Sequence, residues 1–300
     1  MLITAGAIPA ARRYWLGRTE VVDCALLAEK LGYGTVVLQG GEDFAVAAGW
    51  WGGVIREIKE KTALAVTLSL GERHSDELAL WKEAGAARYL LRFETGNPRL
   101  YRRIHPDAGG EVSDRLARLR TLRALGYETG SGVMVGVPGQ TFADAVRDAL
   151  LFRSLDLDMI GIGPYLPHPQ TPLYAEAREV AARAAAGAAG GQILPTAENA
   201  CKMVALARLL CPRSNIPSTT ALAAARGGGH ELGLRRGANV IMPNVTPAKY
   251  RALYAIYPEK EKIDAPQSAE DLGVWLASFG RVPGRGRGDS ARAAVRADSR

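Results

Sequence analysis

The chain has 300 residues, a hydrophobic fraction of 47% and a formal net charge of +7. That size suits one large domain, and a single α/β barrel of roughly 250 residues would nearly use it up. No run of about 18 uncharged apolar residues is present, so no membrane span is expected. Met1 to Tyr14 also lacks the basic, apolar and small-residue order of a secretory signal, so the expected compartment is the cytoplasm.

The elements follow in chain order. Val21 to Leu31 reads as a helix, Gly34-Thr-Val-Val-Leu-Gln39 as a β-branched strand, and Ala45 to Lys59 as a helix. Ala63 to Leu70 is a strand, Asp76 to Ala84 a helix and Arg88 to Phe93 a strand. Asp114 to Leu125 is amphipathic, with leucines at 116, 119 and 122. Thr129 to Val137 is a Gly-rich strand, Phe142 to Leu155 a helix, and Met159 to Leu166 the next strand. The Ala/Gly-rich stretch Ala175 to Gly191 is expected to be a loose loop or irregular helix. Glu198 to Leu210 is a helix, Asn215 to Leu222 strand-like, Glu231 to Arg236 a short helix and Asn239 to Met242 a last strand. Pro247 to Tyr254 and Ala269 to Phe279 close the body as helices.

Alternating strands and helices imply a parallel sheet with helices outside. Seven strands are legible, near residues 36, 66, 91, 133, 162, 218 and 241. The expected fold class is α/β, a (β/α)8 TIM-type barrel, with its first strand expected to lie ahead of residue 1. An open doubly wound sheet is disfavoured, because no Gly-x-Gly-x-x-Gly turn follows the first strand. The expected domain spans 1–280. Residues 281–300, with six arginines and two aspartates, are expected to form a solvated, disordered basic tail.

Ligands of such a barrel bind at the C-terminal strand ends. The residues there are rich in Gly, Thr, Gln and carboxylates. No lysine falls on a strand, which argues against a Schiff-base aldolase. The four histidines include no His-x-His pair, which argues against a His-rich metal hydrolase. His168 sits near the rim and reads more simply as a loop residue between two prolines. Arg92 and Glu94, two apart on one strand, share a face. They form either a mutual ion pair or a clamp on ligand hydroxyls and an anion. Arg115 reads as a solvated helix-face residue or as a cation meeting a carboxylate from above.

Together the rim segments resemble a family. They are Val36-Val-Leu-Gln-Gly-Gly-Glu-Asp43, Thr67-Leu-Ser-Leu-Gly-Glu72, Tyr89-Leu-Leu-Arg-Phe-Glu-Thr95, Gly126-Tyr-Glu-Thr-Gly130, Met134-Val-Gly-Val-Pro-Gly-Gln-Thr141, Asp158-Met-Ile-Gly-Ile-Gly-Pro164, Pro167-His-Pro-Gln-Thr-Pro172, Asn215-Ile-Pro-Ser-Thr-Thr220 and Gly237-Ala-Asn-Val-Ile-Met-Pro-Asn244. In this order they resemble the radical S-adenosylmethionine (SAM) maturases of FeFe-hydrogenase, the HydE family, from about Tyr14 to Gly284. The Pro-His-Pro segment favours HydE over biotin synthase and methylornithine synthase.

The resemblance implies SAM as cofactor, with Gly40, Gly41 and Glu42 at its amino end, Glu94 on the ribose and Arg115 on the carboxylate. Gly40 stands where the family pattern has serine. Thr67, Met159 and Tyr250 match further SAM-pocket positions. Arg92, Thr219, Thr220 and Asn244 match the substrate cavity. No catalytic residue is assigned. The family also holds a 4Fe-4S cluster on Cys-x-x-x-Cys-x-x-Cys after the first strand. Here only Cys24, Cys201 and Cys211 exist, at other spacings, so no metal ligand is assigned. The cluster loop and first strand are expected to be missing together, as in an N-terminally shortened sequence.

Two functions stay open. One is a radical SAM enzyme that cleaves SAM reductively to a 5′-deoxyadenosyl radical, acting on a small substrate during assembly of the hydrogenase H-cluster. The other is a cluster-free scaffold that binds SAM or an anion. The expected partners are a small-molecule substrate and other hydrogenase maturation proteins. Neither a membrane nor nucleic acid is expected.

Overall fold

The computed structural model describes residues 14–105, 112–225, 228–251, 253 and 268–292. The chain alternates helices and strands: α1 (Arg18–Lys30), β1 (Thr35–Gln39), α2 (Ala48–Lys61), β2 (Ala65–Ser69), α3 (Ser75–Glu83), β3 (Ala86–Leu90), α4 (Pro98–Ile104), α5 (Arg115–Ala124), β4 (Glu128–Val135), α6 (Phe142–Ser154) and β5 (Met159–Pro164). Then come α7 (Tyr174–Ala185), α8 (Ala197–Leu210), α9 (Thr220–Ala225), α10 (Gly229–Arg235), α11 (Ala248–Arg251) and α12 (Ala269–Ala277).

The five strands pair in chain order, all parallel, as a curled half-barrel. Their residues are largely buried, as expected where helices cover one face of the sheet and the bore lies on the other. Val66, Leu68, Tyr89, Val133, Ile160 and Ile162 are all buried. Trp81 of α3 stacks parallel to Tyr89 at 6.5 Å, and Tyr127 meets Tyr89 edge-on at 5.8 Å. These rings tie the helical layer to the sheet.

Among the described residues five strands replace the seven expected. The two last segments remain as parallel bridges in the right order: Met159 and Ile162 pair with Asn215 and Ser218, and Pro217 with Val240. Pro217 lacks an N–H, so a regular ladder stops there, and Thr220 already opens α9. Residues 175–185, expected to be a loose loop or an irregular helix, form a regular helix. Alanine has the highest helix propensity, so low complexity here favours order. Helix α4 was not expected, although Asn97 accepts N–H bonds from Arg99 and Leu100 and Pro98 follows it, a complete N-terminal signal.

The basic tail also differs from expectation. Residues 293–300 lie outside the described residues, but 281–292 cross the N-terminal strand ends as a strap. Thr35 Oγ1 and Arg88 Nη2 donate to the Arg287 carbonyl at 2.7 and 3.0 Å. Asn215 Nδ2 donates to Gly288 O at 2.9 Å. Asp289 pairs with Arg88, which also stands 3.3 Å from Glu128. Ser290, 1% exposed, donates from its N–H to Glu128 and from its hydroxyl to Asp158. The buried polar groups at the barrel floor were invisible as a set in the sequence, and they hold the strap down.

Gly34 permits this closure, because a Cβ there would sit 1.9 Å from Gly286 O. Gly34→Val is therefore expected to lift the strap. Trypsin should cut the variant after Arg281, Arg285 or Arg287 far faster than the parent. Equal cleavage rates would show that the strap does not depend on this contact.

Candidate functional site

A cavity of about 2530 Å³ runs along the bore from the glycine turn after β1 to the strap. Such a volume exceeds a typical ligand pocket of about 300–1,000 Å³. Gly40, Gly41, Glu42, Thr67, Arg92, Glu94, Arg115, Met159, Thr219, Thr220 and Asn244 all line it. Of the expected site residues, Tyr250 is absent from its wall. Its hydroxyl donates to the Glu20 carboxylate, 2.9 Å from Oε1 and 3.0 Å from Oε2, and its ring stacks on Tyr14 at 4.8 Å. The acidic first turn of α1 draws Tyr250 away. Met159 lines the lower bore, at the first residue of β5, whereas the glycine turn lies beyond the far end of β1.

The upper wall carries the charges. Glu94 follows β3, and its backbone still pairs with β4 through Gly132 O and the Met134 N–H. Its φ is +64°, a conformation that costs a residue with a Cβ about 1 kcal/mol or more. The carboxylate is 1% exposed, and neither oxygen accepts a hydrogen bond. Arg92 Nη2 stands 3.2 Å from its Oε2, so the ion pair read from the sequence forms. Arg92 also donates to Val133 O. A buried carboxylate with vacant acceptor positions is expensive unless a ligand completes it.

Arg115 opens α5 and is 8% exposed. It is no solvated helix-face residue. Its Nε donates to Glu72 at 3.0 Å, Nη1 to the Arg92 carbonyl at 2.7 Å and Nη2 to Glu42 at 2.8 Å. A guanidinium has five N–H groups, so two remain for a carboxylate. Ser113 and Tyr101 brace the network: the Ser113 hydroxyl donates to Glu72, and the Arg115 N–H donates to the Tyr101 hydroxyl at 2.8 Å. Glu72, Ser113 and Tyr101 had no assigned role in the sequence. The one available signal was that Glu72 follows β2 at the strand end where ligands bind.

The glycine turn is held open toward the cavity. Gly40 N–H donates to Ser69 O at 3.1 Å, and a Cβ on Gly41 would meet nothing within 4 Å. Lower down, Gly161 and Gly163 of β5 make room in the bore. A Cβ on Gly163 would lie 2.9 Å from Thr219 Oγ1, and one on Gly161 would lie 3.9 Å from Arg92 Nε. Thr219 Oγ1 donates to Ile162 O at 3.0 Å, and Asn244 caps its own turn at the Thr246 N–H.

Behind the rim, Asp148 of α6 is fully buried. It accepts the Gly96 N–H and a bond from Gln140, and so ties down the turn that follows Glu94. Burial, with Asp144 adding to it, pushes its carboxyl up to about 7 from an ordinary value of 3.8. The folded state thus holds a proton that the unfolded chain releases. This contribution is fully present below about pH 4 and is lost as pH rises through 7. Asp148→Asn cannot ionise. Between pH 5 and 8 it is expected to lose less melting temperature than the parent; parallel losses would exclude Asp148 as the titrating group.

Cys24 lies on α1, Cys201 within α8 and Cys211 at its C-terminal end. These outer-helix positions do not fit three thiolates on one strand-end loop. Among the described residues, no group of three potential ligands gathers around a metal position.

The sequence profile of the Radical SAM superfamily matches residues 11–152. The FeFe-hydrogenase maturase subunit HydE of Thermotoga maritima is 46% identical over 283 residues, which covers 94% of this chain and 76% of that protein. Among solved structures, methylornithine synthase (PylB) superposes with a TM-score of 0.73 at 22% identity, covering 91% of this chain and 75% of the other. The maturase HydG from Carboxydothermus hydrogenoformans gives 0.66 at 17% identity, covering 89% and 59%. Both likenesses bear on the fold. With 46% identity to HydE over 94% of its length, the chain belongs to the HydE family of radical SAM proteins.

Proposed function

We propose that this barrel binds SAM in its upper bore and a small substrate beneath it, in the assembly of the FeFe-hydrogenase H-cluster. The observation that carries the reading is Glu94: a buried carboxylate, held at positive φ, with no hydrogen-bond donor and facing the same cavity as Arg115 and the glycine turn. A ribose diol supplies two donors of the right kind. The charges agree as well. In the network around Glu94 and Arg115, the three carboxylates Glu42, Glu72 and Glu94 against the two guanidiniums of Arg92 and Arg115 leave one negative charge. SAM, with its sulfonium, ammonium and carboxylate, carries one positive charge.

In this reading Glu94 accepts from the ribose hydroxyls, and the two unused N–H groups of Arg115 take the carboxylate. The backbone of Gly40 and Gly41 receives the amino end, beside Glu42. Thr67 lines the middle of the bore. Arg92, Thr219, Thr220 and Asn244 hold the substrate, and the volume left below SAM is ample for a small molecule. Radical SAM proteins use SAM together with a 4Fe-4S cluster, and reductive SAM cleavage is the chemistry that the pair supplies. The cysteines present here do not fit that cluster, and no step of this chain is assigned to it.

That misfit favours a second reading, a SAM-binding barrel without radical activity. Anaerobic reconstitution of the 300-residue chain with iron and sulfide, followed by visible absorption and assay of SAM cleavage, separates the two. A brown protein that cleaves SAM supports the enzyme. A colourless protein that binds SAM supports the scaffold. A chain that does not bind SAM overturns both. The reading includes a cytoplasmic setting and contact with other maturation proteins. Among the described residues no helix is long and apolar enough to cross a membrane.

A further inference from the structure

The turn assigned to the amino end of SAM lies in an exposed stretch of chain. Gly40, Gly41, Phe44, Ala45 and Ala47 are all exposed. Few side chains hold it, and one dominates. Arg73, just after Gly71-Glu72 at the end of β2, is itself 3% exposed. Its Nη1 donates to Asp43 O at 2.8 Å and its Nη2 to Val46 O at 3.0 Å. Its Nε donates to Glu77 at 3.0 Å, and Nη2 pairs with the other Glu77 oxygen. The guanidinium lies between Phe44 and Trp81, its Cζ 5.5 and 5.3 Å from their ring centroids.

Its support is rigid. Glu77 Oε2 also accepts the His74 N–H at the start of α3, and Trp81 donates from Nε1 to Ala48 O at 2.9 Å. The carbonyls of Asp43, Val46 and Ala48 are therefore all fastened to α3 and its leading loop. The other end of the turn is fastened by Gly40 to Ser69, and Glu42 is held by the Glu72 N–H at 2.8 Å. Arg73 fixes the outgoing end. Only a planar fork can serve two carbonyls and one carboxylate at once while stacked between two rings.

We infer that Arg73 is a positioning residue, which holds Gly40–Gly41–Glu42 ready for the amino end of the ligand by gripping the carbonyls of Asp43 and Val46. The inference rests on the SAM reading above and adds a residue that never touches the ligand. A merely structural role would weaken every ligand alike. A positioning role is selective, because the turn meets only the methionine part of SAM.

The test compares SAM with 5′-methylthioadenosine, which keeps the nucleoside and lacks the amino and carboxylate groups. Both affinities are measured by titration calorimetry on the full chain, for the parent, Arg73→Lys, Arg73→Met and a core control, Ile58→Val. Arg73→Met is expected to weaken SAM about tenfold or more and to leave methylthioadenosine within about twofold. Arg73→Lys should lie between, since it keeps the charge and loses the fork. Ile58→Val should change neither. Hydrogen exchange should quicken at residues 41–46 and not in β3 or β4. If Arg73→Met does not fold, Arg73→Lys carries the comparison. A parent that does not bind SAM overturns the functional reading and this inference with it. A parent that binds, beside folded Arg73 variants that keep its SAM affinity or lose both ligands equally, overturns this inference alone.

Discussion

Glu94→Gln is expected to abolish useful SAM binding while leaving the melting temperature nearly unchanged. Hydrogen bonds to a charged acceptor contribute about 1.5–3 kcal/mol each. Two of them from a ribose diol amount to about 3–6 kcal/mol, or roughly two to four decades in affinity. Glutamine keeps the shape, the Cβ and therefore the backbone strain at φ +64°. It removes the charge and turns one acceptor into a donor facing the ligand's own hydroxyls. Stability should move little, because removing a buried carboxylate that accepts no hydrogen bond offsets the ion pair that Arg92 loses. Arg92 loses its ion pair but keeps Val133 O. Calorimetric titration with SAM, beside a melting curve, checks both halves. Affinity retained within about threefold would mean that Glu94 does not clamp the nucleoside.

Arg115→Met should damage both binding and folding. The guanidinium holds Glu42 and Glu72 together, and their side chains are 21% and 12% exposed. Without it the two carboxylates face each other with no cation between them. Removing one partner of a buried pair costs about 3–5 kcal/mol. The residual exposure of Glu42 puts the expected loss near the lower end, about 3 kcal/mol. Adding Glu42→Gln to Arg115→Met relieves the repulsion and should restore part of the stability without restoring SAM binding. Urea unfolding of the four proteins of this cycle measures the coupling. If Arg115→Met were as stable as the parent, the carboxylates would not depend on it. If the double variant regained SAM affinity, Arg115 would not be the carboxylate grip.

Much of the site was legible because parallel barrels concentrate ligand groups at strand ends. Counting to the end of each strand placed Gly40–Gly41–Glu42 and the Arg92–Glu94 pair at one rim, where they line one cavity; the ligand roles proposed for them came from the family resemblance. The Arg115 brace was harder. Glu72, Ser113 and Tyr101 come from three separate loops or helices and carry no shared periodicity. Arg73 carried no assigned role in the sequence. Tyr250 matched a family position, but a local acid, Glu20, decides where its hydroxyl points. The regularity of the Ala-rich helix went unread because low complexity was weighed above propensity. The anchorage of the strap was not read: a Gly/Arg composition suggests solvation, which residues 281–289 show, but Arg88, Glu128 and Asp158 of the floor also hold Asp289 and Ser290. Charge complementarity at such sequence separation leaves no local trace.

That strap sets an order on how the protein can be made. Thr35 and Arg287 are hydrogen-bonded across 252 residues, so the floor of the barrel stays open until residues 285–290 have left the ribosome. Until then Arg88, Glu128 and Asp158 stand wet at the base of a half-built bore. Contacts of such long range form late and slowly. The nascent barrel is therefore open to misassembly until the strap is made, and slowing synthesis between β5 and the strap would lengthen that hazard rather than relieve it.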